Sequence, residues 1–222
     1  MPVGKYSFYL HSDDRTDTIA IGTIASVSQP LRGDFICSAA IAGSVLYRID
    51  TRLPALLTEL FDGALKAGQM MSVIAALSGR YSDVNSLQDE AGGLSPCRVQ
   101  GSDTGYERRR FTLHLADEVN AQQTMTLLDE SPSRLRGKLI RNLVIAGLAL
   151  YTLDPRLPRL LACMPVPPDS LEALKVLVSQ VTNVTQPRVH SERDEVGVTE
   201  DVVSNPESPS KSLISQNMGK LF

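Results

Sequence analysis

Two short segments of the chain, residues 5–11 and 110–116, alternate strictly between apolar and polar side chains. A period of two over about six or seven residues is typical of a strand that is buried on one face. The apolar positions are Tyr6, Phe8 and Leu10 in the first segment and Phe111, Leu113 and Leu115 in the second. We therefore predict two short strands, each with one polar face.

Helical periodicity follows each predicted strand. A weakly amphipathic helix is predicted over 13–27 and another over 117–130, and each leads through a turn into a long helix that is apolar nearly all round. Pro30 suits the first position of the first long helix. Ser133 is a plausible N-cap of the second.

Both long helices are expected to end before an aspartate, Asp50 or Asp154, because prolines follow closely and cannot continue a helix. Further helical material is predicted over 59–77 and 169–181. Each half of the chain is therefore predicted to contain a strand, a helix, a turn, a long buried helix and an extension.

The two halves are copies of each other. Residues 31–57 and 135–161 align without a gap, and 15 of their 27 positions are identical. Chance would give about one or two identities over that length. Gly43 and Gly147 recur at equivalent positions inside the long helices, where glycine costs about 1 kcal/mol relative to alanine. A close helix crossing is the favoured reason, and a tolerated defect is the alternative.

One copy cannot fold alone, because its single strand would leave backbone hydrogen-bonding groups unpaired. Two copies related by a two-fold axis solve this problem, since residues 5–11 can pair antiparallel with residues 110–116 and the long helices can pack together. The predicted fold is mainly α with a short antiparallel β-ribbon, formed by two tandem copies in one chain plus additional helices.

Composition divides the rest of the chain. Copy 1 with its helical extension is assigned to 1–80, and copy 2 with its extension to 108–182. Residues 81–107 hold five acidic residues, one arginine and several glycines, which indicates a linker. Residues 183–222 form a polar tail that is predicted to be disordered up to an apolar end.

The charge pattern places basic residues locally. The net charge of the 222 residues is −3, so no overall basic excess indicates nucleic-acid binding. Residues 108–181, however, carry ten basic and seven acidic residues. Three scattered cysteines, three scattered histidines and the absence of a phosphate-binding loop motif give no reason to expect catalytic residues, a metal or a cofactor. With no signal peptide or membrane span apparent, we expect a cytoplasmic protein.

The predicted arrangement resembles the ribbon-helix-helix fold, in which an antiparallel ribbon enters the DNA major groove and a helix N-terminus contacts a phosphate. The resemblance implies DNA contacts on the outward face of the ribbon, in the arginine run where its second strand starts, and in the first turn of each long helix. These candidate residues are Lys5, Ser7, Tyr9, Arg32, Gly33, Arg108, Arg109, Arg110, Thr112, His114, Arg136 and Gly137. A solvated strand face and ordinary surface arginines are the alternative. Because the outward residues of the two copies differ, the DNA site is expected to be asymmetric.

The segment IAGLALYTLDPRLPRLL at 145–161 is similar to the ParR (StbB) family of plasmid partition adaptors. The similarity is closest over about 108–165 and weaker over 5–60, and this chain differs from the usual member by carrying two units. The resemblance implies a non-enzymatic adaptor that binds centromere repeats in double-stranded DNA, self-associates on them and couples them to filaments of the actin-like ATPase ParM. Repression of its own operon is also implied.

The end of the tail carries a possible partner-binding motif. Ile214, Met218, Leu221 and Phe222 fall on one face of a helix, which is the pattern of a peptide that docks into a groove. The motif is assigned to Leu213, Ile214, Met218, Lys220, Leu221 and Phe222. Packing on its own domain is the main alternative, and a membrane is disfavoured because Lys211 and Lys220 are too few basic residues for a lipid anchor.

Two other functions stay open at the level of sequence. One is a relaxosome accessory protein of conjugation, of the TraY type. The other is a ribbon-helix-helix antitoxin or repressor, whose tail wraps a toxin. The extra helices and the short apolar tail motif favour the partition adaptor over both.

Overall fold

The computed structural model describes residues 4–79, 107–116 and 119–184, which lie in one folded unit. The predicted linker, apart from Glu107, and the predicted tail beyond Val184 lie outside the described residues. The elements are β1 (Gly4–His11), α1 (Arg15–Ser26), α2 (Arg32–Ile49), α3 (Leu53–Leu60), α4 (Ala67–Leu77), β2 (Arg108–Leu115), α5 (Val119–Glu130), α6 (Ser133–Leu153), α7 (Leu157–Cys163) and α8 (Leu171–Val184). The described part of the chain is therefore a tandem ribbon-helix-helix fold with additional helices.

The two strands form an antiparallel ribbon within one chain, as predicted. Ser7 pairs with Thr112 at its centre, and Phe8 pairs with Phe111. The buried strand residues of the two copies, Phe8 with Leu113 and Leu10 with Leu115, correspond at a spacing of 105, whereas equivalent residues of the long helices lie 104 apart. Copy 2 therefore has one residue fewer between its inward-facing strand residues and its long helix.

One face of the ribbon is part of the core, and the alternation in the sequence identified it correctly. Phe8, Leu10, Leu113 and Leu115 are buried. The rings of Phe8 and Phe111 stack with their centroids 5.5 Å apart. Because side chains alternate along a strand, this burial leaves the intervening residues on the opposite face.

The long helices α2 and α6 cross at the two glycines, which confirms the close crossing. A Cβ atom on Gly43 would lie 2.6 Å from the carbonyl carbon of Leu143, and one on Gly147 would lie 2.6 Å from that of Ala39. Real Cβ atoms do not approach backbone so closely. The reciprocity of these contacts shows that copies 1 and 2 are related by a pseudo-two-fold axis.

The long helices end where predicted, with Asp50 and Asp154 as C-caps. The Asp50 carboxylate accepts hydrogen bonds from the backbone N–H and the guanidinium of Arg52, and Asp154 accepts the same bonds from Arg156. Hydrogen bonding to Arg52 holds the pKa of Asp50 below its usual value. The aspartate and the arginine two residues later thus form the turn into α3 or α7.

The starts of the long helices differ from prediction. Ser133 is the first residue of α6 and follows the N-cap Pro132, and no described side chain makes a capping hydrogen bond there. Pro30 lies in a single 3-10 turn, Gln29–Leu31, and α2 begins after it at Arg32. Backbone turns, rather than a side-chain cap, therefore begin both helices.

The helical material predicted over 59–77 is interrupted in the structure. The structure ends α3 at Leu60 and begins α4 at Ala67, and between them Gly63 adopts a φ of 100°. That left-handed conformation favours glycine and interrupts a right-handed helix. The interruption allows α4 to turn back and pack against α8 of copy 2.

Two polar contacts join the copies at positions where the pseudo-symmetry fails. Arg141 of α6 donates to buried Asp17 at 2.6 Å and to Asp14 at 2.9 Å, whereas the residue equivalent to Arg141 in copy 1 is Cys37. The hydroxyls of Ser44 and Thr124 lie 2.7 Å apart in the core. The two halves are therefore not interchangeable.

Candidate nucleic-acid interface

The face of the ribbon opposite the core carries the predicted contact residues in cross-strand pairs. Lys5 lies opposite His114, Ser7 opposite Thr112, and Tyr9 opposite Arg110. Lys5, His114 and Arg110 are exposed, and the other three side chains are partly exposed. Alternation in the sequence therefore placed all six residues on the correct face, and together they form a polar strip with three basic side chains.

The arginine run at the start of β2 is divided between the two faces. The Arg110 guanidinium donates to the Ser7 hydroxyl at 3.0 Å, and the Arg108 guanidinium lies 3.5 Å from the centroid of the Tyr9 ring. Both contacts hold arginine side chains along the outward strip. Arg109 instead pairs with Leu10, and its guanidinium lies 5.5 Å from the centroid of the Phe111 ring. Arg109 is exposed, but it does not belong to the outward strip.

One end of the ribbon is tied to the start of α6. The Tyr6 hydroxyl donates to the Asp129 carboxylate at 3.0 Å, near the end of α5. Burial, followed by this hydrogen bond, raises the pKa of the Tyr6 phenol, while the charge of Arg136 acts in the opposite direction. The start of α6 and the end of the ribbon that carries Lys5 are thus neighbours.

Arg32 and Arg136, predicted to face phosphate, have a structural role that the sequence reasoning missed. Arg32 donates to the carbonyls of Val27 and Ala25, both at 2.8 Å. Arg136 donates to the carbonyls of Asp129 and Ser131 at 3.3 and 3.2 Å. Each arginine satisfies carbonyls at the end of the preceding helix and so fixes the position of the long helix behind the ribbon.

Gly33 and Gly137 lie one position further along. Apart from the adjoining residues and the backbone of its own helix, no atom of the described residues lies within 4 Å of the place that a Cβ would take on either glycine. The fold itself therefore does not require glycine at these two positions, although glycine weakens a helix. The space beside each backbone is open to a close-fitting ligand such as a phosphate.

The first two turns of α6 also present cations that were not among the predicted contact residues. Arg134 and Lys138 are exposed, and the equivalent residues at the start of α2 are Pro30 and Asp34. The basic surplus of 108–181 already included both cations, so the signal was present in the sequence. Arg141, another member of that cluster, is instead committed to its ion pair with Asp17.

Other features of the described residues add little chemistry. Within 4–79, 107–116 and 119–184, no three His, Cys, Asp or Glu side chains are arranged to hold a metal ion. In the same part of the chain, no helix has both the length and the apolar character needed to cross a bilayer. The predicted partner-binding motif, Leu213 to Phe222, lies outside the described residues.

Comparison with known proteins gives one finding. A family model described as "Plasmid stability protein" matches the chain twice, over residues 4–74 and 108–178. Each match starts at the first residue of a strand, and together they cover more than half of the chain. No curated protein and no solved structure matches the chain significantly.

Proposed function

Because this chain belongs to the plasmid stability protein family, we propose that it maintains a plasmid by binding specific DNA sequences through its ribbon. One observation carries the proposal: an antiparallel ribbon presents exposed Lys5, Arg110 and His114 on the face opposite the core. The major groove admits a two-stranded ribbon, and these side chains are donors suited to base edges.

The starts of the long helices support the same proposal. Backbone N–H groups at a helix N-terminus attract phosphate, and Gly33 and Gly137 leave room for a phosphate to approach. Arg134 and Lys138 add positive charge beside the N-terminus of α6. In this arrangement Arg32 and Arg136 position the helices, and the glycines and the exposed cations contact the DNA backbone.

We further propose that the protein is a non-enzymatic partition adaptor. It would bind repeated centromere sequences, self-associate along these repeats and connect them to filaments of an actin-like ATPase of the ParM type. It would also repress its own operon. This part rests on the resemblance of residues 145–161 to ParR and on the apolar face at Leu213–Phe222. The family match supports a role in plasmid stability, within which these finer steps are proposals.

DNA recognition is tested with the full chain and duplexes that it selects from a randomised pool. Arg110→Ala should lose about 1–3 kcal/mol of discrimination between selected and unselected duplexes. Arg134→Ala should weaken both kinds of duplex alike and reduce the salt slope by about one unit. Arg159→Ala, which removes an exposed arginine from α7, serves as the matched control. Unchanged discrimination in the Arg110→Ala variant would exclude the ribbon as the recognition surface, and unchanged affinity in the Arg134→Ala variant would exclude the start of α6 as a phosphate contact.

The partner is tested separately by capture from cells that carry the plasmid. Recovery of an actin-like ATPase supports the partition adaptor. Recovery of a relaxase instead would indicate a relaxosome accessory protein of conjugation, and recovery of a toxin would indicate an antitoxin.

A further inference from the structure

The two ends of the ribbon lie beside helix starts that differ in charge. The hydrogen bond between Tyr6 and Asp129 places the Lys5 end of the ribbon beside the start of α6. By the pseudo-two-fold relation, the opposite end, with Arg108 and Arg110, lies beside the start of α2. We call these the α6 end and the α2 end.

At the α6 end, the cations lie mainly on the helix. Arg134 and Lys138 are exposed in the first turns of α6, and the neighbouring outward pair on the ribbon is Lys5 with His114. Two cations beside a helix N-terminus suit phosphate oxygens, which carry no information about base sequence.

At the α2 end, the distribution is reversed. The ribbon carries Arg110 and Arg108, held in place by the Ser7 hydroxyl and the Tyr9 ring. The helix start carries Asp34, an exposed carboxylate at the position where α6 has Lys138. A carboxylate there weakens phosphate binding, whereas paired arginines are the side chains best suited to the O6 and N7 atoms of guanine.

We infer that one chain divides DNA recognition unequally between its two ends: the α2 end reads guanine bases through Arg110 and Arg108, and the α6 end, where Lys5 and His114 also face the groove, makes most of the phosphate contacts. This inference rests on the proposed DNA-binding function and names the residues that determine specificity within it. A conventional homodimer repeats both tasks at both ends. This single chain instead binds in one fixed orientation, so repeated sites would align successive molecules in the same direction.

Chemical interference mapping on a selected duplex tests the division. Methylation of guanine N7 should block binding in one half of the site, and ethylation of phosphates should block binding mainly in the other half. Arg110→Ala should abolish the guanine interference and lower discrimination about 10- to 100-fold. Arg134→Ala with Lys138→Ala should remove the phosphate interference in the other half and leave base preference unchanged.

A gain-of-function variant provides a second test. Asp34→Lys gives the start of α2 the cation that α6 already has, at an exposed position where misfolding is not expected. It should tighten binding to selected and unselected duplexes alike, steepen the salt slope by about one unit, and strengthen phosphate interference in the guanine-reading half.

The outcomes separate this inference from the function beneath it. Specific binding with both kinds of interference symmetric about the centre of the site would overturn the division and leave the DNA-binding function intact. An unchanged salt slope in the Asp34→Lys variant would also overturn it. A chain that selects no duplex at all would overturn the division and the proposed function together.

Discussion

Gly43 of α2 and Leu143 of α6 meet backbone to backbone where the two long helices cross. A Cβ on Gly43 would lie 2.6 Å from the Leu143 carbonyl carbon, and the pseudo-symmetric contact joins Gly147 to Ala39. Because a main-chain carbonyl cannot rotate away as a side chain can, the only way to admit a methyl group is to separate the helices.

Replacing either glycine by alanine should therefore destabilise the fold. We expect Gly43→Ala and Gly147→Ala each to lower the free energy of unfolding by about 1–3 kcal/mol or more, as overpacking does in well-packed cores. Urea denaturation of the purified chain measures the change. Gly22→Ala in α1 is the control, since no described atom outside its own helix backbone and adjoining residues lies within 4 Å of its Cβ position. If all three variants changed the free energy of unfolding equally, the close contact at the helix crossing would not be the reason for the glycines.

Gly33→Ala and Gly137→Ala should separate folding from DNA binding. In the part of the chain that the structure describes, nothing contacts the added methyl group, so helix propensity should stabilise each variant by up to about 1 kcal/mol. If phosphate approaches these backbones, the same methyl group should weaken DNA binding. The measurement compares urea midpoints with dissociation constants for a selected duplex. Unchanged or tighter DNA binding in both stabilised variants would place the phosphate elsewhere.

Features that depend on local period were predictable from the sequence, and features that depend on distant partners were not. Strict alternation assigned Phe8 and Leu10 to the core and Lys5 to the outward face. The same alternation puts Arg109 on the face of Phe111, although the arginine run suggested a single DNA-contacting group. The period of two therefore separates Arg109 from Arg108 and Arg110.

The roles of the other arginines required three-dimensional information. Arg141 pairs with Asp17 of the other copy, 124 positions away, so a basic cluster in the sequence did not reveal its partner. Arg32 and Arg136 donate to main-chain carbonyls, whose direction is set by where α1 and α5 end. Residue type alone does not distinguish an arginine that caps a helix from one that contacts phosphate.

The burial of Asp17 should make stability depend on pH. Burial raises the pKa of Asp17 above its usual value, although the His11 backbone N–H and Arg141 act in the opposite direction. The folded chain thus binds this proton more tightly than the unfolded chain. The contribution of Asp17 is therefore complete below the unfolded pKa and falls as pH rises through the folded pKa.

Arg141→Met should raise the Asp17 pKa further and extend that loss towards neutral pH. We expect a cost of about 3–5 kcal/mol near pH 7, typical of a buried carboxylate that loses its partner. The cost should be smaller near pH 4, where more of Asp17 is protonated in the folded variant. Urea denaturation at both pH values measures this difference, with the exposed Arg159→Met as a control for lost charge. A pH-independent cost would mean that Arg141 stabilises the fold through packing rather than through the carboxylate.

The last prediction concerns the proposed filament partner. The apolar motif at Leu213–Phe222 occurs once, so a single chain presents one docking peptide where a conventional dimer presents two. Single weak peptides hold a filament only when many are kept together, and an array on repeated DNA sites provides that effective concentration. Deleting residues 212–222 should therefore leave DNA binding and autorepression intact and abolish capture of the filament. Replacing Met218, Leu221 and Phe222 by serine should have the same effect, because fully burying one such side chain contributes about 1.5–3 kcal/mol.

Co-sedimentation of the DNA-bound chain with the polymerised ATPase measures filament capture. Lys211→Ser, just outside the deleted segment, is the control for a polar change near the motif. If the truncated chain still sediments with the filament, coupling must lie in the folded unit instead, and the exposed leucines Leu56 and Leu160 on α3 and α7 become the next surface to mutate. If truncation abolishes DNA binding as well, the tail contributes to the DNA complex and is not an independent docking peptide. Loss of capture alone, with the selected duplex still bound at its original affinity, is the result that the adaptor function requires.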